Sequence, residues 1–244
     1  MTSTAIPLDA IRRLHFGYIV APEGRADVGQ PIPVCGYLVE HPKARILFDT
    51  GLAPVDEATR TRYHPRGATP DAVLAAVGLT PGDIDLVVNC HLHLDHAGGN
   101  DQFPETPIYV QRAELDLAEA GDHTFPEYAY DFVGARLQVI DGEQEPVPGV
   151  RIVPTPGHTA GHQALVVETV GGPVLLAGQA FTTASEFGFA AFSHRLSAGG
   201  LDTIGESPVW MARVAELDPI RTYFAHDLLV HERDAADLGI AQPL

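Results

Sequence analysis

The stretch that decides the fold is HLHLDHAGG, residues 91–99, which directly follows the apolar run 84–90. It places three imidazoles and one carboxylate within six residues. Imidazole nitrogens and carboxylate oxygens are ligands for zinc and neighbouring divalent metals. A tight turn after a strand brings alternate side chains to one point, and the two glycines let the backbone bend closely around that point. The stretch therefore predicts a metal site at the end of a strand.

The composition favours one large domain with a strong negative charge. The 244 residues show no linker, repeat or low-complexity tract, which predicts a single domain over 1–244. Fifteen basic against 32 acidic residues give a formal net charge of −17. This charge opposes binding to nucleic acid and to anionic membrane surfaces. We expect a small-molecule substrate, no nucleic acid or membrane partner, and leave the oligomeric state open.

The two cysteines and the N-terminus favour a cytoplasmic location. Cys35 and Cys90 both lie in apolar, strand-like runs, which favours two reduced thiols in the core over a disulfide. The N-terminus lacks a basic segment followed by an apolar one, and no apolar run reaches the length of a membrane span. We therefore expect a cytoplasmic enzyme.

Short runs rich in β-branched residues and bounded by Gly, Pro or Asp predict strands. They cover 13–20, 34–40, 45–49, 84–90, 108–111, 137–140, 151–154, 164–168, 174–177 and 221–225. Helices are predicted over 70–77, 112–119 and 208–217, the last with Ser207 as its cap. A sheet with apolar residues on both faces must be covered on both. We predict an α/β (α+β) fold of two mixed β-sheets packed face to face, with helices outside.

Two further strand ends carry candidate ligands. The stretch TPGHTAGH, residues 155–162, follows the run 150–153 and again uses glycine to position an imidazole. His158 is the predicted ligand, and His162 is either a support behind the ligands or a hydrogen-bonded core residue. His226 ends the run 221–225, which makes it a third candidate.

The pattern His-x-His-x-Asp-His, the later Pro-Gly-His and the strand-end His226 resemble the metallo-β-lactamase superfamily over nearly the whole chain. Within that superfamily the sequence is most similar to the quorum-quenching N-acyl homoserine lactonase group. Residues 46–51, 155–162 and 224–227 carry this closer likeness. The resemblance implies the metallo-β-lactamase fold, an αββα sandwich, with a dinuclear zinc-type site at one edge.

The resemblance also implies how the ligands divide between two metals. One metal would be held by His91, His93 and His158. The other would be held by Asp95, His96 and His226. Asp49 would orient a ligand histidine from behind, a role that suits a carboxylate.

One position departs from the family pattern. Where the family has an aspartate that bridges both metals, after the run 174–178, this chain has Gln179. A glutamine carbonyl is neutral and binds a metal weakly. Two divalent ions about 3.5 Å apart repel by on the order of 20 kcal/mol at an effective dielectric of about 20. We therefore expect one tight zinc and a second site that is weak or empty, with manganese or iron as other options.

The predicted function is a metal-dependent hydrolase that cleaves an ester-type bond, above all a lactone, by attack of metal-bound hydroxide. Asp95 is predicted to move a proton to the leaving alkoxide. Thr182 stands where the lactonases carry a substrate-contacting tyrosine, and with Phe181 it is a predicted substrate contact. The aromatic segments 123–132 and 181–192 are interpreted as loops over the site.

Two other functions stay open. Because Gln179 weakens the site, the chain is alternatively a non-hydrolytic metal-binding or ligand-binding protein of the same fold. A thioester hydrolase of the same superfamily shares the metal motif and is the other alternative.

Overall fold

Alternating apolar side chains build two β-sheets in the computed structural model, which describes residues 5–52, 55–121, 124–200 and 207–233. The strands are β1 (Ile11–Val20), β2 (Pro31–His41), β3 (Ala44–Phe48), β4 (Arg66–Gly67), β5 (Leu86–Val88), β6 (Pro107–Gln111), β7 (Arg136–Ile140), β8 (Gln144–Val147), β9 (Val150–Pro154), β10 (Gln163–Thr169), β11 (Gly172–Leu176), β12 (Arg221–Tyr223) and β13 (His231–Glu232). The α-helices are α1 (Glu57–Tyr63), α2 (Pro70–Ala75), α3 (Arg112–Glu119), α4 (Ala184–Ala198) and α5 (Met211–Leu217). Within the described ranges, no helix combines the length and apolar character needed to cross a membrane.

Both sheets are mixed. The first has the strand order β4-β1-β2-β3-β5-β6-β7, and the second has the order β13-β12-β11-β10-β9-β8. In the first sheet β1, β2 and β3 pair antiparallel, whereas β3, β5, β6 and β7 pair parallel. In the second sheet β8 to β11 pair antiparallel, and β11 pairs parallel with β12. The predicted fold class is confirmed.

Apolar clusters hold four layers together. One cluster lies between the two sheets and includes Tyr37 and Phe48. A second covers the outer face of the first sheet through Leu74 of α2. A third covers the outer face of the second sheet through Phe187 of α4 and Met211 of α5. Because each sheet is covered on both faces, the layers follow the order αββα.

The strand directions bring the predicted ligand loops to one edge. β3 and β5 run parallel, so Asp49 after β3 lies beside the stretch that begins at His91 after β5. β9 and β11 are each antiparallel to β10 and therefore point the same way, towards His158 and Gln179. β12 is parallel to β11 and leads to His226 at the same edge.

Each of the ten predicted strands coincides with an observed strand, and the predicted helix 112–119 coincides with α3. The predicted helix 70–77 ends earlier, as α2 ends at Ala75. The predicted helix start at 208 was wrong, because α5 begins at Met211 with Trp210 as its N-cap. Ser207 does not cap this helix, and its hydroxyl lies 3.4 Å from Nδ1 of His194.

The interpretation of 181–192 as a loop was also wrong, because α4 spans most of that segment. Its N-terminus carries a capping box, in which the Thr183 side chain and the Glu186 side chain each bond to the other residue's backbone N–H. The helix has no clear apolar stripe, since Phe187 is buried while Phe189 is 72% exposed. Of the first aromatic segment, 123–132, His123 lies outside the described residues, and 127–129 form a short 3-10 turn.

Tyr37 provides a test of how the two sheets are joined. Its buried hydroxyl, on β2, donates a hydrogen bond of 2.7 Å to the carbonyl of Phe224, just after β12. Tyr37→Phe removes this donor and leaves the buried carbonyl unpaired, which should lower the free energy of unfolding by about 1–2 kcal/mol in urea titrations. Tyr18→Phe on the exposed side of β1 is the control and should change it by less than about 0.5 kcal/mol. Equal effects of the two variants would show that the bond does not stabilise the sandwich.

Candidate metal centre

The first predicted trio converges at the shared strand edge. Nδ1 of His93 lies 3.1 Å from Nε2 of His158, and the His91 ring centroid lies 4.4 Å from that of His93 and 4.7 Å from that of His158. One donor atom from each of the three lies within 4.8 Å of the others. Nε2 of His91 is buried and has no hydrogen-bond partner among the described residues. A buried imidazole nitrogen without a partner is a polar atom that a metal ion would satisfy.

The second trio lies against the first. Nε2 of His96 is 3.1 Å from Nε2 of His226, and Oδ2 of Asp95 is 3.7 Å and 3.5 Å from these two atoms. Oε1 of Gln179 lies 3.1 Å from the same nitrogen of His96. The ring centroids of His91 and His96 are 4.1 Å apart, so the two trios are adjacent.

The donor sets fit a divalent ion. Two ligands about 2.1 Å from a tetrahedral ion are about 3.4 Å apart. The separations of 3.1 Å between His93 and His158 and of 3.1 to 3.7 Å within the second trio are close to this spacing. Three imidazoles in one trio, and two imidazoles with a carboxylate in the other, are donor sets typical of zinc and of neighbouring transition metals.

Two imidazoles of the first trio have lowered pKa values. Burial lowers the pKa of His91 well below the ordinary value, and the surrounding imidazoles, His96 first, lower it further. Burial and the neighbouring His93 lower the pKa of His158 to about 3. Neutral imidazoles keep a lone pair available for a metal, so His91 and His158 need no deprotonation to bind one at neutral pH.

The second trio instead carries charge. Burial disfavours a charge on His96, but Asp95 and Asp49 outweigh burial and raise the pKa of His96. Burial likewise opposes ionisation of Asp95, but His96 and His226 outweigh it and lower its pKa. Burial lowers the pKa of His226, and the nearby His96 acts in the same direction. A cation between these groups would likewise favour the ionised form of Asp95.

Hydrogen bonds from behind set the orientation of the second trio. Nδ1 of His96 donates to Oδ2 of Asp49 over 2.9 Å, and Nδ1 of His226 donates to the carbonyl of Pro33 over 2.8 Å. Both bonds leave Nε2 facing the other trio members. Asp49 has a φ of 64°, a left-handed conformation that aspartate tolerates better than most residues. The Asp49 carboxylate thus lies behind His96, the place that the family resemblance implies for it.

His162 lies behind Gln179. Its Nε2 accepts a hydrogen bond of 3.1 Å from the backbone N–H of Gln179, so Nδ1 carries the hydrogen and donates to the Thr155 hydroxyl over 2.7 Å. The imidazole is completely buried. His162 is thus a buried, hydrogen-bonded residue whose imidazole binds the backbone of Gln179, and its role as a support behind the ligands stays a prediction.

Glu114 and Thr159 support the first trio, and the sequence analysis missed both. The Glu114 side chain, buried on α3, accepts hydrogen bonds from the backbone N–H of Leu92 over 2.9 Å and from the Thr159 hydroxyl over 2.6 Å. Leu92 separates His91 from His93, and Thr159 follows His158. Burial raises the pKa of Glu114, and the bonds from Thr159 and Leu92 act against that rise. The signal that could have found Glu114 is its place beside Leu115 on the predicted helix 112–119, on the face that is buried.

The loop of His158 packs so tightly on α3 that only glycine fits at one position. A Cβ on Gly161 would lie 2.1 Å from the backbone nitrogen of Glu114. Because Gly161 has no side chain, the loop that carries His158 can lie against α3 and beside the loop that carries His91 and His93.

A cavity of about 410 Å³ opens onto both trios. The candidate metal ligands in its wall are His93, Asp95, His158, Gln179 and His226. Thr182 and the apolar side chains of Ile19, Ile32 and Leu94 also line it. Phe181, the other predicted substrate contact, is not among the lining residues, since its ring packs 5.7 Å from Phe187 and 5.5 Å from Trp210. Its proximity in sequence to Gln179 does not bring it to the cavity, because packing beneath α4 turns it away.

A family model described as the Metallo-beta-lactamase superfamily matches residues 31–226, the range that holds every predicted ligand. The chain belongs to the metallo-beta-lactamase superfamily. The match and the two mixed sheets with their outer helices confirm the family resemblance drawn from the motifs.

Within this superfamily, the relatives of the chain include lactonases. It is 35% identical over 216 residues to an N-acyl homoserine lactonase from Bacillus sp, covering 81% of this chain and 82% of the relative. It is 30% identical over 219 residues to the N-acyl homoserine lactonase AttM from Azorhizobium caulinodans, covering 80% and 82%. A solved N-acyl homoserine lactone hydrolase, with the product N-hexanoyl-L-homoserine bound at its catalytic metal center, matches with a TM-score of 0.72 and 26% identity. That match covers 93% of this chain and 95% of the other.

The link between the two ligand loops can be tested with Thr159→Val. This change keeps the side-chain shape but removes the hydroxyl that donates to Glu114, and a hydrogen bond to a carboxylate contributes about 1.5–3 kcal/mol. We expect the free energy of unfolding of the metal-free protein to fall by that amount in urea titrations. Thr61→Val, on the exposed helix α1, is the matched control and should change stability by less than about 0.5 kcal/mol. An equally small effect of Thr159→Val would exclude this link as a source of stability.

Proposed function

We propose that this chain is a metal-dependent hydrolase that opens lactone rings, with N-acyl homoserine lactones as the substrate class. The observation that carries the proposal is the convergence of two ligand trios on one cavity. The identity of 35% to an N-acyl homoserine lactonase, over 82% of that relative, supports the ester bond of a lactone as the target.

Zinc is the proposed ion, with the tight site at His91, His93 and His158. The second site, at Asp95, His96 and His226, has Gln179 as a weak neighbour. When bound, such ions polarise a carbonyl as Lewis acids and lower the pKa of bound water to about 7. Manganese or iron remains an option for the second site because its carboxylate suits harder ions.

Asp95 is the proposed proton carrier. Its carboxylate is 7% exposed and lines the cavity, and its pKa lies below the ordinary value because of His96 and His226. It is therefore ionised at neutral pH, ready to take a proton at Oδ2 and deliver it to the leaving alkoxide oxygen.

The rest of the cavity suits a small acyl lactone. Ile19, Ile32 and Leu94 provide an apolar wall for an acyl chain, and the Thr182 hydroxyl offers a hydrogen bond near Gln179. Few polar groups placed among apolar ones are typical of pockets that orient a small molecule.

A substrate panel tests the proposed function. The protein, loaded with zinc, is incubated with N-hexanoyl-homoserine lactone, an acyl thioester and a β-lactam, and the ring-opened or cleaved products are measured by chromatography. We expect turnover of the lactone and much slower cleavage of the other two. Faster thioester cleavage would assign the chain to the thioester hydrolases. Metal-loaded protein that cleaves none of the three would favour the non-hydrolytic alternative that Gln179 suggests.

Asp95→Asn tests the proton carrier. The amide cannot accept and deliver the proton, so kcat on the lactone should fall by a factor of about 100 or more. The content of tightly bound metal should stay close to one ion per chain, because Asp95 is not in the first trio. Asp101→Asn, at an exposed carboxylate nearby, should leave kcat unchanged. Normal turnover by Asp95→Asn would remove Asp95 from the mechanism.

Gln179→Asp tests the effect of the missing carboxylate. We expect the wild-type protein to retain about one ion per chain after dialysis against a weak chelator, and Gln179→Asp to retain about two, because a bridging carboxylate offsets the repulsion between the ions. Elemental analysis gives the count. Gln179→Asn has the same length as the aspartate without its charge, and it should not gain the second ion. Two tightly held ions in the wild-type protein would contradict the expectation.

A further inference from the structure

Cys90 lies between the two trios. It follows β5, directly precedes His91 and is completely buried. Its Sγ is 3.1 Å from Nδ1 of His91, in the first trio, and 3.2 Å from Nδ1 of His96, in the second. The same sulfur is 3.1 Å from Oδ2 of Asp49. One thiol thus contacts a ligand of each trio and the carboxylate that orients one of them.

The donors and acceptors around this thiol can be assigned from the geometry. Oδ2 of Asp49 accepts from Nδ1 of His96, and Oδ1 accepts from the backbone N–H of Cys90 over 2.7 Å. The thiol has one hydrogen, and the carboxylate oxygen at 3.1 Å is its acceptor. Nδ1 of His91 must carry a hydrogen if Nε2 is to offer a lone pair to a metal. That hydrogen points to Sγ, a weak acceptor.

The thiol packs so closely against Gly178 that only glycine fits there. A Cβ on Gly178 would lie 2.5 Å from Cβ and 2.8 Å from Sγ of Cys90. Gly178 precedes Gln179, so the thiol lies against the neighbour of the residue that departs from the family pattern. The loss of Sγ would remove the acceptor that lies 3.1 Å from Nδ1 of His91.

We propose that Cys90 is a positioning residue that fixes the ring orientation of His91 and links it, through Asp49, to His96. The connected groups run from Nδ1 of His91 through the thiol and the Asp49 carboxylate to Nδ1 of His96. This inference rests on one part of the proposed function, namely that the two trios bind metal. Residues behind metal ligands set ligand orientation, and their loss typically weakens metal binding 10- to 100-fold.

The test measures metal binding rather than turnover, with cobalt(II) as the probe. Cys90→Ala removes the sulfur, and it should weaken cobalt binding by about 10- to 100-fold in chelator competition. The visible d–d absorption of the cobalt protein should also shift, because the His91 ring is free to turn. Cys90→Ser keeps a donor and an acceptor at the same position, and it should bind cobalt within about threefold of the wild type.

Cys35→Ala is the matched control. Cys35 is also buried and belongs to the same apolar cluster between the sheets, but its thiol contacts Nδ1 of His15, at 3.7 Å, and no predicted ligand. It loses the same packing volume, so cobalt affinity and spectrum should both stay as in the wild type.

Three results would overturn the inference. Cys90→Ala could bind cobalt with unchanged affinity and spectrum, Cys35→Ala could weaken binding as much as Cys90→Ala, or Cys90→Ser could lose as much as Cys90→Ala. If Cys90→Ala does not fold, Cys90→Ser decides, since its spectrum must then match that of the wild type. Wild-type protein that binds cobalt but opens no lactone would refute the proposed function and leave the cobalt result on Cys90 intact.

Discussion

The candidate site depends on one constraint: each ligand imidazole must direct one particular ring nitrogen towards the metal position. A ring that turned freely would not keep that nitrogen in place. For three of the five ligand imidazoles, the structure meets this constraint by binding the opposite nitrogen. His96 is held by the Asp49 carboxylate, His226 by the carbonyl of Pro33 and His91 by the thiol of Cys90. Since a hydrogen bond on one nitrogen leaves the other as the lone-pair donor, these contacts determine the tautomer as well as the direction of the ring.

The same constraint explains why the ligands lie at strand ends. Strands covered on both faces form the rigid part of the molecule, and loops leaving their parallel ends are held close together. Glu114 then joins the two loops that carry the first trio, since its carboxylate accepts hydrogen bonds from both. Burial of this carboxylate is tolerated because its oxygens are bonded.

The two trios differ in charge, and the difference is consistent with unequal metal sites. In the first trio the pKa values of His91 and His158 are lowered, whereas Asp95 and Asp49 favour a positive charge at His96 in the second. Gln179 adds an oxygen but no charge, at 3.1 Å from His96. A carboxylate at that position would add the negative charge that screens two cations from each other. The cavity beside both trios has an apolar part formed by Ile19, Ile32 and Leu94, which suits an acyl chain.

The sequence by itself determined the strands, the ligand residue types and the family, because all three are expressed in local patterns. Period-two apolar runs and the HLHLDH stretch need no knowledge of distant contacts. The missed helix α4 is a failure of local reading, since its capping box was visible while its apolar stripe was not. The tertiary structure alone decided that Glu114 joins the ligand loops, that Cys90 contacts both trios and that Phe181 turns away from the cavity. The bonds of Glu114 and the packing of Phe181 join residues far apart in the chain, and the contacts of Cys90 depend on how the loop after β5 folds back on itself, so none of them can be read from a local pattern.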